Sequence, residues 1–231
     1  MSKEKKITKE CLEWALSRYE EIARQEEFPY RKFSSILNEV KINFKDNSHF
    51  QRVKDVGQAW KTILGNVLEG LIEYSLEKEL VKINLRCTKP TKSAMGKYYE
   101  LMGEQLSVDV GGINLIPDAD RIVYKENPFR AIAVLSIKKK FRERIAQVGY
   151  WTIQLRSAGK NIKNIMVTTD ENGTFTKSKL KKDGVKAKAI AREHTNGTFV
   201  ASEAEIEENG KIRKFNKIIE FLKKLGGPGN D

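Results

Sequence analysis

The chain is poor in the residues that build several common kinds of site. Its 231 residues hold two cysteines, Cys11 and Cys87, and two histidines, His49 and His194. Cysteines so placed match no usual zinc-ligand spacing and are too few for a disulfide framework. The isolated histidines leave a histidine-based triad or a zinc hydrolase without support. Long apolar runs are missing too. Stretches such as Ala131 to Ile137 fall far short of the roughly 18 to 20 residues of a membrane span, and Met1 to Lys9 is too polar for a signal peptide. A soluble, cytoplasmic protein with no membrane partner is expected. Acids are outnumbered, with 31 Asp+Glu against 43 Lys+Arg and a formal charge of +12. That balance suits a polyanionic partner bound through phosphate contacts. A lysine-rich solvated surface would give the same balance, so charge alone does not choose.

The length fits one hydrophobic core, and a single domain over 1–231 is expected, with a helical region at 1–54, a core at 55–170 and a basic loop plus final helix at 171–231. Thr8 can cap a helix carrying Cys11, Leu12, Ala15, Leu16, Tyr19 and Ile22 at helical spacing, ending before Phe28-Pro29. Short helices follow at Arg31 to Asn38 and Ser48 to Val53, joined by the polar stretch Lys45 to Ser48. The longest periodic run, about Asp55 to Val81, places Trp60, Leu64, Val67, Leu68, Leu71, Ile72, Ser75 and Leu76 on one wide stripe and predicts a central helix. The period then changes. Short apolar runs at Leu106 to Val110, Ile113 to Ile116, Arg121 to Tyr124 and Ala131 to Ile137, with turns at Gly111-Gly112 and Glu126-Asn127-Pro128, read as a meander of strands. A helix from near Phe141 through Leu155 and a strand at Ile162 to Thr168 imply a crossover and a parallel pair. The Lys-rich tract with Lys177, Lys179, Lys181, Lys182, Lys186 and Lys188 reads as a loop, solvated or clamping phosphates, and Lys211 to Leu225 as an amphipathic helix. The fold class is α/β, a central mixed sheet flanked by helices.

Phosphodiester hydrolysis needs a positioned water and neutralisation of charge at phosphorus, which carboxylates holding Mg²⁺ can supply in large part. Asp118 stands at the mouth of one expected strand and Lys138 at the end of the next, so a hairpin can bring them together. Asp118 would hold the metal while Lys138 orients or deprotonates the water. Asp120 shares the parity of Asp118 and is the alternative or second ligand. On the central helix Glu69 and Glu73 share a face. Glu69, among apolar neighbours, needs a metal or a lysine as partner, whereas Glu73 fits a solvated face with Glu77.

Pro117-Asp118 and Ser136-Ile137-Lys138 resemble the PD-(D/E)xK nuclease signature, with Ser136 where the usual acid would stand. The continuation Ser136-Ile137-Lys138-Lys139-Lys140-Phe141-Arg142-Glu143-Arg144-Ile145-Ala146-Gln147 is similar to the S-x-K-x-x-x-R-E-R-x-x-Q run of type II restriction endonucleases that read CCGG- or CCNGG-type sites. The resemblance covers about 80 residues, from Gly65 to Glu69 through the strand ending at Thr168. It implies catalysis by Asp118, Lys138, Glu69 and Ser136, Mg²⁺ held by Asp118 and Glu69, with Asp120 the ligand added by strand parity, and base reading by Arg142, Glu143, Arg144 and Gln147. A guanidinium can give two bonds to guanine and a carboxylate can accept from cytosine N4, which fits that assignment. Gln147 fits a base contact or a structural bond. Where family members place a further glutamate beyond the Arg-Glu-Arg run, this chain has Val148, Trp151 and Thr152, which leaves Glu69 as the substitute and Glu143 as a weaker one. Double-stranded DNA is the implied partner, and a palindromic site implies a homodimer. A structure-specific or repair nuclease of the same fold, or a noncatalytic DNA-binding protein, are the alternatives.

Overall fold

The computed structural model describes residues 3–47, 55–140, 144–176 and 182–227. Among the described residues three helices come first: α1 (Lys3–Arg24), α2 (Phe33–Asp46) and α3 (Val56–Lys82), with a 3-10 turn at Pro29–Lys32 before α2. Asp55 caps α3, its Oδ1 accepting from the Gln58 N–H at 2.9 Å, which meets one of the orphan donors of the first turn. The wide apolar stripe read from the sequence is buried along α3, from Trp60 through Leu80. Lys45 and Asp46, expected in a connection, complete α2, and the short helix expected at Ser48 to Val53 lies outside the described residues.

Six strands form a mixed sheet in the order β1-β4-β5-β6-β7-β8: β1 (Arg86–Thr88), β4 (Arg121–Lys125), β5 (Arg130–Lys138), β6 (Lys163–Thr168), β7 (Gly197–Val200) and β8 (Ile212–Lys214). β1, β4 and β5 pair antiparallel, and β5 through β8 pair parallel. Side chains alternate across the sheet as the pleat requires. Ile165 and Val167 of β6 join the core under α1–α3 and α8 (Ile218–Gly226), whereas Met166 joins the opposite core under α6 (Arg144–Ser157) and α7 (Lys182–His194). A third cluster packs α5 (Tyr98–Leu106) and the short α4 (Lys92–Met95) over Ile122 and Val134.

Four expectations need correcting. The strand read from Leu106 begins after that residue. Met102 and Leu106 lie four apart and are buried on the face of α5, so the chain stays helical until Ser107. That strand, β2 (Val108–Val110), and β3 (Ile113–Leu115) leave the main sheet and, among the described residues, pair only with each other. Gly111 and Gly112 turn them with φ of 65° and 83°, a backbone that suits two-residue hairpins and that glycine adopts without penalty. The basic tract is not one loop. Helix α7 runs through it and strand β7 follows, with Ala187 and Ala191 packed inward one helical turn apart. Finally, the helix expected from Lys211 begins with an edge strand, β8, and turns helical only after Lys214.

Candidate active site

The β4–β5 hairpin carries the acid–lysine contact. Its ladder extends upstream of β4, because the Asp120 N–H donates to Leu135 O at 3.0 Å. That bond aligns Asp120 with the end of β5, and its Oδ2 accepts from the Ile137 N–H at 2.6 Å and from Lys138 Nζ at 2.5 Å. Both side chains of the ion pair are 20% exposed, screened yet reachable. Ser136, 9% exposed, precedes Lys138 by two residues on β5. Asp118 was expected beside Lys138. Instead it sits beyond the ladder, exposed next to buried Pro117, and its Oδ2 accepts from Gln147 Nε2 at 2.6 Å. Lying two residues outside the ladder, it lacks the backbone bond that brings Asp120 to Lys138.

Glu69 and Glu73 share a face of α3, and both meet the same cation. Arg121, 7% exposed at the start of β4, donates from Nη1 to Glu69 Oε2 at 2.9 Å and to Asp120 O at 2.6 Å, and from Nε to Glu73 Oε2. Glu73 is therefore no member of a solvated face. Arg121 escaped the sequence reading, although it directly follows Asp120 and two carboxylates one turn apart call for a cation. Burial pushes the neighbouring Cys87 thiol up, and Glu73 adds to that shift, so Cys87 stays protonated near neutrality.

Lys139 continues β5 towards the Arg-Glu-Arg run. Its Nζ donates to Lys61 O at 2.5 Å, passing where a Cβ on Gly65 would stand 3.1 Å away, while its carbonyl accepts from the Glu171 N–H at 3.0 Å and the Thr169 hydroxyl at 3.2 Å. Arg142 and Glu143 lie outside the described residues, and Arg144 is the first residue of α6. Val148 and Thr152 are buried against the sheet, at 3% and 2% exposure, so an acid there would lie in the core. In the basic tract, Lys188 is buried and paired with Glu207 at 3.0 Å, which removes it from the expected phosphate clamp. Lys186 is exposed on α7, and Lys177, Lys179 and Lys181 lie outside the described residues.

Hard oxygen donors are what a divalent cation such as Mg²⁺ requires, and it commonly takes only one or two carboxylates alongside water and phosphate oxygens. Asp118 and Asp120 meet that requirement at the hairpin mouth, and Arg121 Nη1 brings a carboxylate oxygen of Glu69 next to the Asp120 backbone. Among the described residues no three acidic, histidine or cysteine side chains form a preassembled cage. The expected trio of Asp118, Asp120 and Glu69 is thus divided among Gln147, Lys138 and Arg121.

The pattern of the BsaWI restriction endonuclease type 2 family matches residues 97–224, more than half of the chain. The chain belongs to this family of type II restriction endonucleases. Its enzyme class is accordingly a hydrolase, a site-specific endodeoxyribonuclease. MjaVIP of Methanocaldococcus jannaschii, assigned as a type II restriction enzyme, is 28% identical over 197 residues, covering 81% of this chain and 86% of its own length. HpyAORF263P of Helicobacter pylori, assigned likewise, is 26% identical over 175 residues, 68% of this chain and 89% of its own. Among solved structures, the AgeI–DNA complex superposes with a TM-score of 0.52 at 14% identity, covering 86% of this chain and 77% of that one. The PspGI–substrate DNA complex gives 0.51 at 15% identity, covering 94% and 92%. These two likenesses establish the restriction-endonuclease fold. No helix among the described residues is long and apolar enough to cross a membrane.

Proposed function

We propose that this endonuclease cuts double-stranded DNA at a short palindrome with a CC/GG core, in a Mg²⁺-dependent reaction carried out by a homodimer. The contact between Lys138 and Asp120 at the hairpin mouth carries the reading, because it sets an ammonium beside a carboxylate only a few residues before the helix of the Arg-Glu-Arg run. Asp120, Asp118 and Glu69 are the side chains that would hold the cation. Bound there, Mg²⁺ offsets negative charge on the scissile phosphate. Lys138 orients the attacking water or takes its proton and stabilises charge on the phosphate oxygens. Ser136 stands in place of the usual strand acid and adds a hydroxyl beside them. Arg142 and Arg144 read guanine edges, Glu143 accepts from cytosine N4, and Gln147 joins this reader to Asp118. The matches to the AgeI–DNA and PspGI–DNA complexes support a duplex partner, and one active site per strand of a palindrome supports the dimer.

The test is digestion of mixed-sequence plasmid DNA with purified protein and Mg²⁺, beside an EDTA control and Lys138→Ala. Discrete fragments that disappear in both controls are expected, and sequencing their ends names the site. A smear or relaxed circles would support a structure-specific nuclease, and intact DNA with salt-sensitive binding a noncatalytic protein.

A further inference from the structure

We infer that Arg121 is a positioning residue of the cleavage centre that acts through Glu69. The inference rests on the proposal that Glu69 contributes to the cation site. Glu69 comes from α3 and Asp120 from the approach to β4, so the Glu69 carboxylate is brought to the Asp120 backbone from a distant part of the chain. One guanidinium nitrogen, Nη1, binds both Glu69 Oε2 and the Asp120 carbonyl. Nε holds Glu73, which anchors the other edge of the guanidinium to the same face of α3. Arg121 is nearly buried, whereas the Glu69 and Glu73 side chains remain 35% and 30% exposed. Among the described residues neither glutamate has another cationic partner, and two carboxylates four residues apart on a helix repel each other. Without the guanidinium both would turn to solvent, and Glu69 would leave the hairpin mouth. A guanidinium is suited to this because its planar fork engages three oxygens at once, which an ammonium on a flexible stem cannot do with the same geometry.

The experiment compares Arg121→Lys, Glu69→Gln and the double variant with the wild type, by two readouts. One is the rise of the thermal midpoint of the protein alone as Mg²⁺ is added, which reports cation binding through linkage. The other is the Mg²⁺ dependence of DNA cleavage. Each single variant is expected to raise the half-saturating Mg²⁺ concentration roughly tenfold, the size of losing one charged hydrogen bond, and the double variant is expected to be no worse than the weaker single one. A purely structural Arg121 would lower the starting midpoint and leave the half-saturating concentration where it was, which overturns the inference while a shift in Glu69→Gln keeps the Glu69 reading intact. An unshifted Glu69→Gln would instead defeat the Glu69 reading, and the inference with it. Should Arg121→Lys fail to fold, the wild type still decides. In protein labelled with ¹⁵N-arginine, the Arg121 Nε resonance should move with Mg²⁺ along the same saturation curve, and a resonance that stays put overturns the inference.

Discussion

Lys138 pairs with Asp120 and not with Asp118: its Nζ lies 2.5 Å from Asp120 Oδ2, while Asp118 is engaged by Gln147. The two acids are separated by a single residue, yet only one is drawn to the end of β5 by a ladder bond.

Their unequal placement sets an order of effects. Lys138→Ala and Asp120→Asn should each reduce the cleavage rate by about a hundredfold or more, in the range ascribed to a positioned proton-transfer group, and Asp118→Asn should reduce it less. Single-turnover rates on one cleavable duplex provide the comparison. An Asp118→Asn defect larger than that of Asp120→Asn would reverse the assignment of the two acids.

Gln147 ties helix α6 to Asp118. Gln147→Leu removes the donor at nearly constant volume and should slow cleavage roughly tenfold while DNA affinity changes little, since a hydrogen bond to a charged group contributes about 1.5–3 kcal/mol before solvent exposure reduces it. Binding and cleavage measured on the same duplex separate the two effects. A loss confined to affinity would make Gln147 a base reader.

Asp170 predicts a pH dependence of stability. It is 5% exposed and accepts from the Thr174 N–H at 2.7 Å and the Phe175 N–H at 2.9 Å. Burial pushes its carboxyl up, and the backbone N–H bonds and nearby Lys188 counter this only in part. A value raised on folding means that the folded chain holds the proton more tightly. Its contribution is therefore fully present below the unfolded value and is lost as pH rises through the folded one. Asp170→Asn presents an NH₂ group to one of the two N–H donors and should cost about 1–3 kcal/mol. Urea titrations across the acid range should show the gap between wild type and variant narrowing as pH rises, and a widening gap would contradict the assignment.

Gly149 marks where α6 crosses α7. A Cβ there would stand 3.1 Å from His194 Cβ and 3.3 Å from Ile190 Cγ2, atoms close to the helix backbone that cannot swing away. Gly149→Val should destabilise the protein by about 1–3 kcal/mol through overpacking and displace the helix that begins with Arg144. Chemical denaturation measures the first effect, and a reduced preference for the cleaved sequence over its near matches reports the second.

What the sequence determined by itself was whatever depends on short-range periodicity. Helical spacing from Trp60 to Leu76 foretold α3, apolar runs foretold β4, β5 and β6, and the resemblance carried by Ser136 to Gln147 pointed to the family. Those signals are local, because each residue's burial follows from neighbours within a turn or a pleat. Where the local signal was thin, as in the alanine-lined α7 amid lysines or the three-residue β8, packing against the sheet decided the element. The partners of the acids belonged wholly to tertiary structure. Arg121 meets Glu73 and Glu69 across 48 and 52 residues of chain, and no period spans that distance. The choice between Asp118 and Asp120 turned on one backbone bond to Leu135, because hairpin register, and not residue type, determines which carboxylate reaches Lys138.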